Sequence, residues 1–163
     1  MITTVKFAKI REDAIIPEYG RDGDGWLDVY ACSDEDIYIQ PHEVKLIPTG
    51  ICSTFDKKYR ISLGERGSNT KSTLMLMSGK IDSNYTGEWF VALYNGNDIP
   101  VELTHNVKEV YKCEDYISVP MSKAICQCGI EEIPDVSIEE VDKDYILNLK
   151  TNRGTGKLGS SGK

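Results

Sequence analysis

Residues 89–94, Trp-Phe-Val-Ala-Leu-Tyr, are apolar with no alternation, and this run constrains the fold more than any other stretch. It reads as a strand covered on both faces. Turn chemistry precedes it: Gly79 permits a tight backbone, Asp82, Ser83 and Asn84 favour a turn, and Gly87 is a second permissive point. Residues 78–95 therefore form a hairpin feeding a buried strand. The hairpin sets Asp82 and Tyr85 close together on one tight turn. A carboxylate held this way orients and deprotonates a water. A phenol ring beside it floors a sugar or a base. A lone Asp in a turn is ordinarily just a turn residue, so the weight of this stretch depends on others.

The rest of the chain repeats the pattern of short strands between turn signals. Strands are expected at residues 3–10, 25–31, 37–40, 59–63, 123–130 and 136–141, the last closing the core. Residues 43–55 read as two strands or one kinked strand, because Pro48 and Gly50 interrupt the alternation. Residues 64–72 are a polar loop, and the run around Leu74 and Leu76 is a single turn or a strand. Residues 96–122 form a longer, charge-mixed excursion, which makes them a candidate docking segment for a regulatory protein partner. Many short strands with almost no helical period predict an all-β sandwich or jelly roll.

A chain of 163 residues has the size of one domain. The expected organisation is a β domain over residues 1–150 and a flexible C-terminal arm over 151–163. A net charge of −7 disfavours broad nucleic-acid binding. Basic residues gather near the C-terminus, at Lys150, Arg153, Lys157 and Lys163, where an anionic ligand is still compatible. No apolar run reaches membrane-spanning length and no signal peptide is visible, so a cytoplasmic protein is expected. The five cysteines show no paired framework. Cys126 and Cys128 share a strand face and read as buried thiols rather than metal ligands.

Five stretches resemble, in order and spacing, the five motifs of the trimeric all-β dUTPases, with a phage or bacterial type of member in view. They are GWLDVYA at 25–31, ERGS at 65–68, GKIDSNYTGE at 79–88, KAICQ at 123–127 and RGTGKLGSSG at 153–162. The resemblance implies a distorted jelly-roll homotrimer with active sites at subunit interfaces. It implies magnesium-assisted cleavage of dUTP to dUMP and pyrophosphate.

By this resemblance Asp82 activates the water that attacks the α-phosphorus, and Tyr85 packs on the deoxyribose and excludes a 2′-hydroxyl. Backbone groups from Leu76 through Gly79 and Lys80 to Ile81 read the uracil edge. Arg66 pairs with phosphate oxygens, for which a planar fork is suited. Gly67 amides, Ser68 and Gln127 hydrogen-bond the phosphate chain. Asp28 meets the magnesium through its waters, since that ion usually keeps several. The arm closes over the nucleotide through Arg153, Leu158, Gly159, Ser160 and Ser161.

The chain departs from the family pattern at Glu65, where a proline is usual, at Gly67, where a serine is usual, and at Ala124, where a basic residue is usual. Lys157 replaces a glycine and Leu158 an aromatic residue. These departures bear on affinity and lid closure rather than on Asp82. The rival family of the same fold, the dCTP deaminases, places a catalytic glutamate where this chain has Ala92 and prefers Pro-Gly-Trp where it has Ser83-Asn84-Tyr85. A dUTPase-fold protein acting only as a regulator is the other alternative.

Overall fold

The computed structural model describes residues 4–152 and Gly154. Among them are fourteen strands: β1 (Lys6–Lys9), β2 (Glu18–Tyr19), β3 (Leu27–Tyr30), β4 (Ile37–Ile39), β5 (Val44–Pro48), β6 (Ile51–Thr54), β7 (Tyr59–Gly64), β8 (Leu74–Leu76), β9 (Lys80–Ile81), β10 (Phe90–Asn95), β11 (Val101–Thr104), β12 (Tyr111–Lys112), β13 (Ile117–Pro120) and β14 (Ala124–Glu132). They form four sheets, ordered β2-β3-β14-β7-β9, β12-β13-β11-β4, β5-β10-β8 and β1-β6. The all-β jelly-roll expectation holds.

The apolar run of β10 is central to the three-stranded sheet, paired with β5 on one side and β8 on the other. Trp89, just before it, is fully buried and packs edge-on against Phe7, with ring centroids 5.4 Å apart. Its indole N–H donates to Ser53 Oγ at 3.2 Å, as a buried indole requires. Its backbone N–H bonds the Ile51 carbonyl, and its carbonyl accepts from the Thr49 hydroxyl. One expectation changes here. Val91 and Leu93 are buried, but on the opposite face Phe90 is 43 % exposed beside exposed Leu46, Val44, Met75 and Met77. Within one chain this second face of β10 is only partly covered, at Ala92.

Residues 43–55 resolve into two strands, β5 and β6, because Gly50 turns with φ +67°. A Cβ there would stand 2.9 Å from Ala14 Cβ and Cys32 Sγ, so both torsion and space call for glycine. The excursion at 96–122 is only partly exposed. β11 and β13 pair in parallel inside it, with Val101, Leu103 and Ile117 fully buried. Its exposed part is residues 105–116, where β12 pairs with β13 at the edge of the sheet. Asn95, fully buried, donates to the Ile39, Gln40 and Ile99 carbonyls at 3.0–3.1 Å and so caps this region.

The compact β unit is Met1–Ile133, and a second unit runs Pro134–Lys163. The expected strand at 136–141 does not form: Val136, Ile138 and Val141 are exposed in irregular backbone. Glu139 and Glu140 put Val141 out of phase with Val136 and Ile138, so no single strand face is apolar. The second unit instead contains a short helix, α1 (Lys143–Leu147), whose N-terminus is capped by Asp142, accepting from the Asp144 N–H at 2.8 Å.

Candidate active site

The hairpin is built as the turn residues predict. β9 pairs with β7, and the Leu63 N–H donates to the Gly79 carbonyl at 2.7 Å. A Cβ on Gly79 would lie 2.9 Å from the Leu63 carbonyl oxygen, so only glycine admits this approach. Beyond β9 the Tyr85 N–H closes a turn onto the Asp82 carbonyl at 3.0 Å. The Asp82 side chain is exposed at that turn, and Tyr85 is 44 % exposed. Together with Lys80, Ile81 and Phe90 they line a cavity of about 250 Å³.

Some backbone groups expected to read a base are already engaged. The Leu76 N–H donates to the Glu65 carboxylate, the Met77 N–H to the Ala92 carbonyl, and the Gly79 carbonyl accepts from Leu63. Leu76 therefore serves the link between the two loops, while Lys80 and Ile81 line the cavity. Glu65, the residue standing where the family pattern has proline, is what occupies Leu76. The Lys80 ammonium turns to Ser62 Oγ at 2.7 Å and to Glu131. The Glu131 carboxyl sits below its ordinary range because Ser62 and Arg60 hydrogen-bond it.

Register builds the second half. Opposite one another across β2, β3, β14 and β7 stand Glu18, Asp28, Gln127 and Gly64. Directly opposed residues project to one face, so Asp28 and Gln127 are brought together from far apart in sequence. A bulge between Ala124 and Cys126 adjusts β14 just before Gln127. The chain then leaves β7 through Glu65 and Arg66 into a 3-10 turn, Gly67–Lys71. Arg66 and Asp28 form a two-point ion pair, Nε to Oδ1 and Nη2 to Oδ2, each 3.0 Å. Arg66 Nη1 also reaches Ser68 Oγ and the Ala124 carbonyl, each at 3.3 Å. Gln127 Nε2 donates to the Glu65 carbonyl at 2.9 Å.

Asp28, Arg66, Gly67, Ser68 and Gln127 line one cavity of about 690 Å³. The structure places these five, read separately from the sequence, around one cavity; the reading did not include the opposite wall, where Glu18, Arg21, Asp24 and Trp26 stand. The turn-rich RDGDG just ahead of β3 was the available signal. Trp26 lies against Gly64 and Gly129: a Cβ on Gly129 would be 2.8 Å from its indole. The Tyr30 phenol is raised above its ordinary value, by burial first and then by the negative charges of Asp28 and Glu18.

The 690 Å³ and 250 Å³ cavities share no lining residue. Arg153, Leu158, Gly159, Ser160 and Ser161 lie outside the described residues. Cys126 and Cys128 are buried; burial pushes the Cys126 thiol well up and the Cys128 thiol up to about 12. Among the described residues no group of three or more His, Cys, Asp or Glu side chains is placed to hold a metal ion by itself. The donors of the larger cavity fit magnesium nonetheless. Asp24 Oδ2 and Asp28 Oδ2 both lie 3.3 Å from the position of a Cβ on Gly20, so two carboxylates converge there. Hard oxygens in that number suit an ion that keeps its waters and takes substrate phosphate.

The chain is similar to known proteins over most of its length. The sequence profile of the dUTPase family matches residues 12–108. The chain is 32 % identical over 161 residues to the deoxyuridine 5′-triphosphate nucleotidohydrolase of Clostridioides difficile, covering 97 % of each chain. It is 29 % identical to the enzyme of that name from a Picosynechococcus strain, covering 97 % of this chain and 98 % of that one. In fold it is similar to the Staphylococcus bacteriophage 80alpha dUTPase solved with dUpNHpp, with a TM-score of 0.75, 22 % identity and coverage of 98 % and 99 %. No helix among the described residues is long and apolar enough to cross a membrane. With 97 % of the chain matched at 32 % identity, and the profile spanning more than half of it, the chain belongs to the dUTPase family.

Proposed function

We propose that this chain hydrolyses dUTP to dUMP and pyrophosphate, with Asp82 as general base. The observation that carries this reading is the pairing of Asp82 and Tyr85 on one turn, opening into one cavity. The Asp82 carboxylate takes a proton from a water whose oxygen bonds the α-phosphorus. The bond from that phosphorus to the bridging oxygen breaks, and pyrophosphate leaves with the electron pair. Tyr85 floors the sugar. Arg66, Gly67, Ser68 and Gln127 bind the phosphate oxygens by charge and hydrogen bonds. Asp28, with Asp24 beside it, would hold magnesium through waters, and that ion would offset phosphate charge. Arg153, Leu158, Gly159, Ser160 and Ser161 would bind the nucleotide by the same reading.

The active unit is a homotrimer in this reading. Two features support it: the two half-sites are separate cavities within one chain, and the outer face of the β5-β10-β8 sheet presents exposed Val44, Leu46, Met75, Met77 and Phe90. Self-association would cover such a face. Phe90 also lines the Asp82 cavity, so the apolar face adjoins the half-site that needs completing.

A panel of nucleoside triphosphates with magnesium tests the activity. Pyrophosphate release confined to dUTP is expected. Ammonia release would assign a deaminase instead, although Ala92, buried on β10, supplies no carboxylate there.

Regulation beside catalysis is a second reading. The 80alpha protein is described among phage dUTPases that control transfer of virulence genes. In this chain residues 105–116 expose Tyr111 and Tyr116, with ring centroids 6.2 Å apart. Replacing both by alanine should spare dUTP turnover; its loss would assign the loop to catalysis.

A further inference from the structure

Gly87 is a glycine that the backbone does not require. The described glycines with left-handed φ are Gly23, Gly50 and Gly154, and Gly87 is not among them. What requires glycine at 87 is the ring of Tyr85. A Cβ placed there would lie 2.8 Å from the Tyr85 hydroxyl oxygen, 2.9 Å from Cζ and 3.1 Å from Cε2. The ring therefore rests against the bare Cα of Gly87. Its hydroxyl donates to the Glu88 carbonyl at 2.6 Å.

That resting surface is itself fixed. The Glu88 carboxylate accepts from the Gly50 N–H at 2.9 Å, and the next residue, the fully buried Trp89, donates its N–H to the Ile51 carbonyl at 2.9 Å. At its other end Tyr85 is held by the turn bond to Asp82. An aromatic side chain 44 % exposed would otherwise sample several rotamers. Here both its backbone and its far end are pinned.

We propose that Gly87 and the Glu88 carbonyl are positioning groups that set sugar specificity, by clamping the Tyr85 ring at the height that admits a deoxyribose and leaves no room for a 2′-hydroxyl. This rests on the reading of Tyr85 as the sugar floor. The two sugars differ by one oxygen, and an apolar wall rejects an added hydroxyl only modestly, on the order of 10²-fold. A ring free to yield would give up even that. A ring tied to Glu88, and through Glu88 and Trp89 to the core, does not yield. The clamp also explains why a residue without a side chain follows Tyr85 so closely: any Cβ at 87 displaces the ring from its seat and breaks the hydroxyl's bond. Because the displaced group is the end of a side chain, the fold itself tolerates the change.

The test compares kcat/KM for dUTP with that for UTP in the full chain and in Y85A, Y85F, G87A and the double variant Y85F/G87A, with thermal unfolding as the check on folding. Y85A should lower the dUTP-to-UTP ratio, which establishes that the ring reads the sugar. G87A should lower it about tenfold or more with its melting temperature close to that of the parent. Y85F, which removes the tether and adds no bulk, should lower it by less. The double variant should fall short of the product of the two single effects, because both act on one ring. If Y85A lowers the ratio and G87A, folded, does not, the clamp is overturned while Tyr85 keeps its role. If Y85A leaves the ratio unchanged, the reading of Tyr85 fails and takes the clamp with it. If G87A does not fold, Y85F decides: an unchanged ratio overturns the clamp, and a lowered one supports it.

Discussion

Arg66 and Asp28, both lining the larger cavity, meet in a two-point ion pair, each contact 3.0 Å, with side chains only 27 % and 14 % exposed. The guanidinium expected to bind phosphate is thus already held by the carboxylate expected to meet magnesium. Asp28 fixes the direction of the fork, so a phosphate bound there would have to share it or displace it.

Asp28→Asn should act on both groups. The charge-assisted pair is lost, at a cost of about 1.5–3 kcal/mol, and the melting temperature should drop by several degrees. The dependence of turnover on magnesium concentration should weaken as well. A magnesium titration superimposable on that of the parent would remove Asp28 from the metal's surroundings.

Asp82→Asn should behave differently. The side chain is exposed at a turn, so stability should change little. Turnover of dUTP should fall roughly 10²- to 10⁴-fold, the usual contribution of a general base. Near-normal turnover in this variant would falsify the assignment of the base.

The Cys128 thiol, pushed up to about 12 by burial, gives a sign for alkaline pH. Between the ordinary thiol pKa and about 12 the folded state holds a proton that the unfolded chain has lost. Stability is therefore fully present below the ordinary thiol value and declines as pH rises above it. Chemical denaturation series from neutral to strongly alkaline pH should show this decline, and Cys128→Ala should reduce it. At pH 8 a thiol reagent should label half-exposed Cys52 and Cys113 in the native protein and reach Cys126 and Cys128 only after unfolding.

Trp89→Ala should cost about 3–5 kcal/mol, the range for deleting a large buried aromatic. It empties the space beside Phe7 and removes the partner of Ser53. Urea unfolding should show a lower midpoint. A shift under about 1 kcal/mol would mean that the core collapses around the cavity.

Cutting the chain before Thr151 should leave the melting temperature of the β unit nearly unchanged, since that unit ends at Ile133. If Arg153 and the small residues after it bind the phosphates, turnover should fall sharply. If the hairpin reads the base, preference for dUTP over dCTP should survive. Full-length turnover in the truncated protein would remove the arm from the site.

The sequence by itself determined the features that short spans encode. Turn residues between Gly79 and Glu88 placed Asp82 and Tyr85 on one tight hairpin, because glycine torsion and Asx chemistry act within a few residues. The strand pattern pointed to an all-β fold for the same reason, and the five motifs named some of the residues that line each cavity. Tertiary structure decided what depends on partners distant in the chain. Asp28 meets Arg66 thirty-eight residues away only because β3, β14 and β7 pair in one register. Trp26 reads as an ordinary strand residue until the sheet brings Gly64 and Gly129 beneath its ring. Residues 136–141 carry strand-forming side chains, yet a strand exists only where another edge accepts its hydrogen bonds, and none among the described residues does. Conversely, β11 and β13 looked like an exposed excursion until their parallel pairing buried Val101 and Ile117. Which face of a strand is covered, and by what, is settled by elements far off in the chain, which no local pattern records.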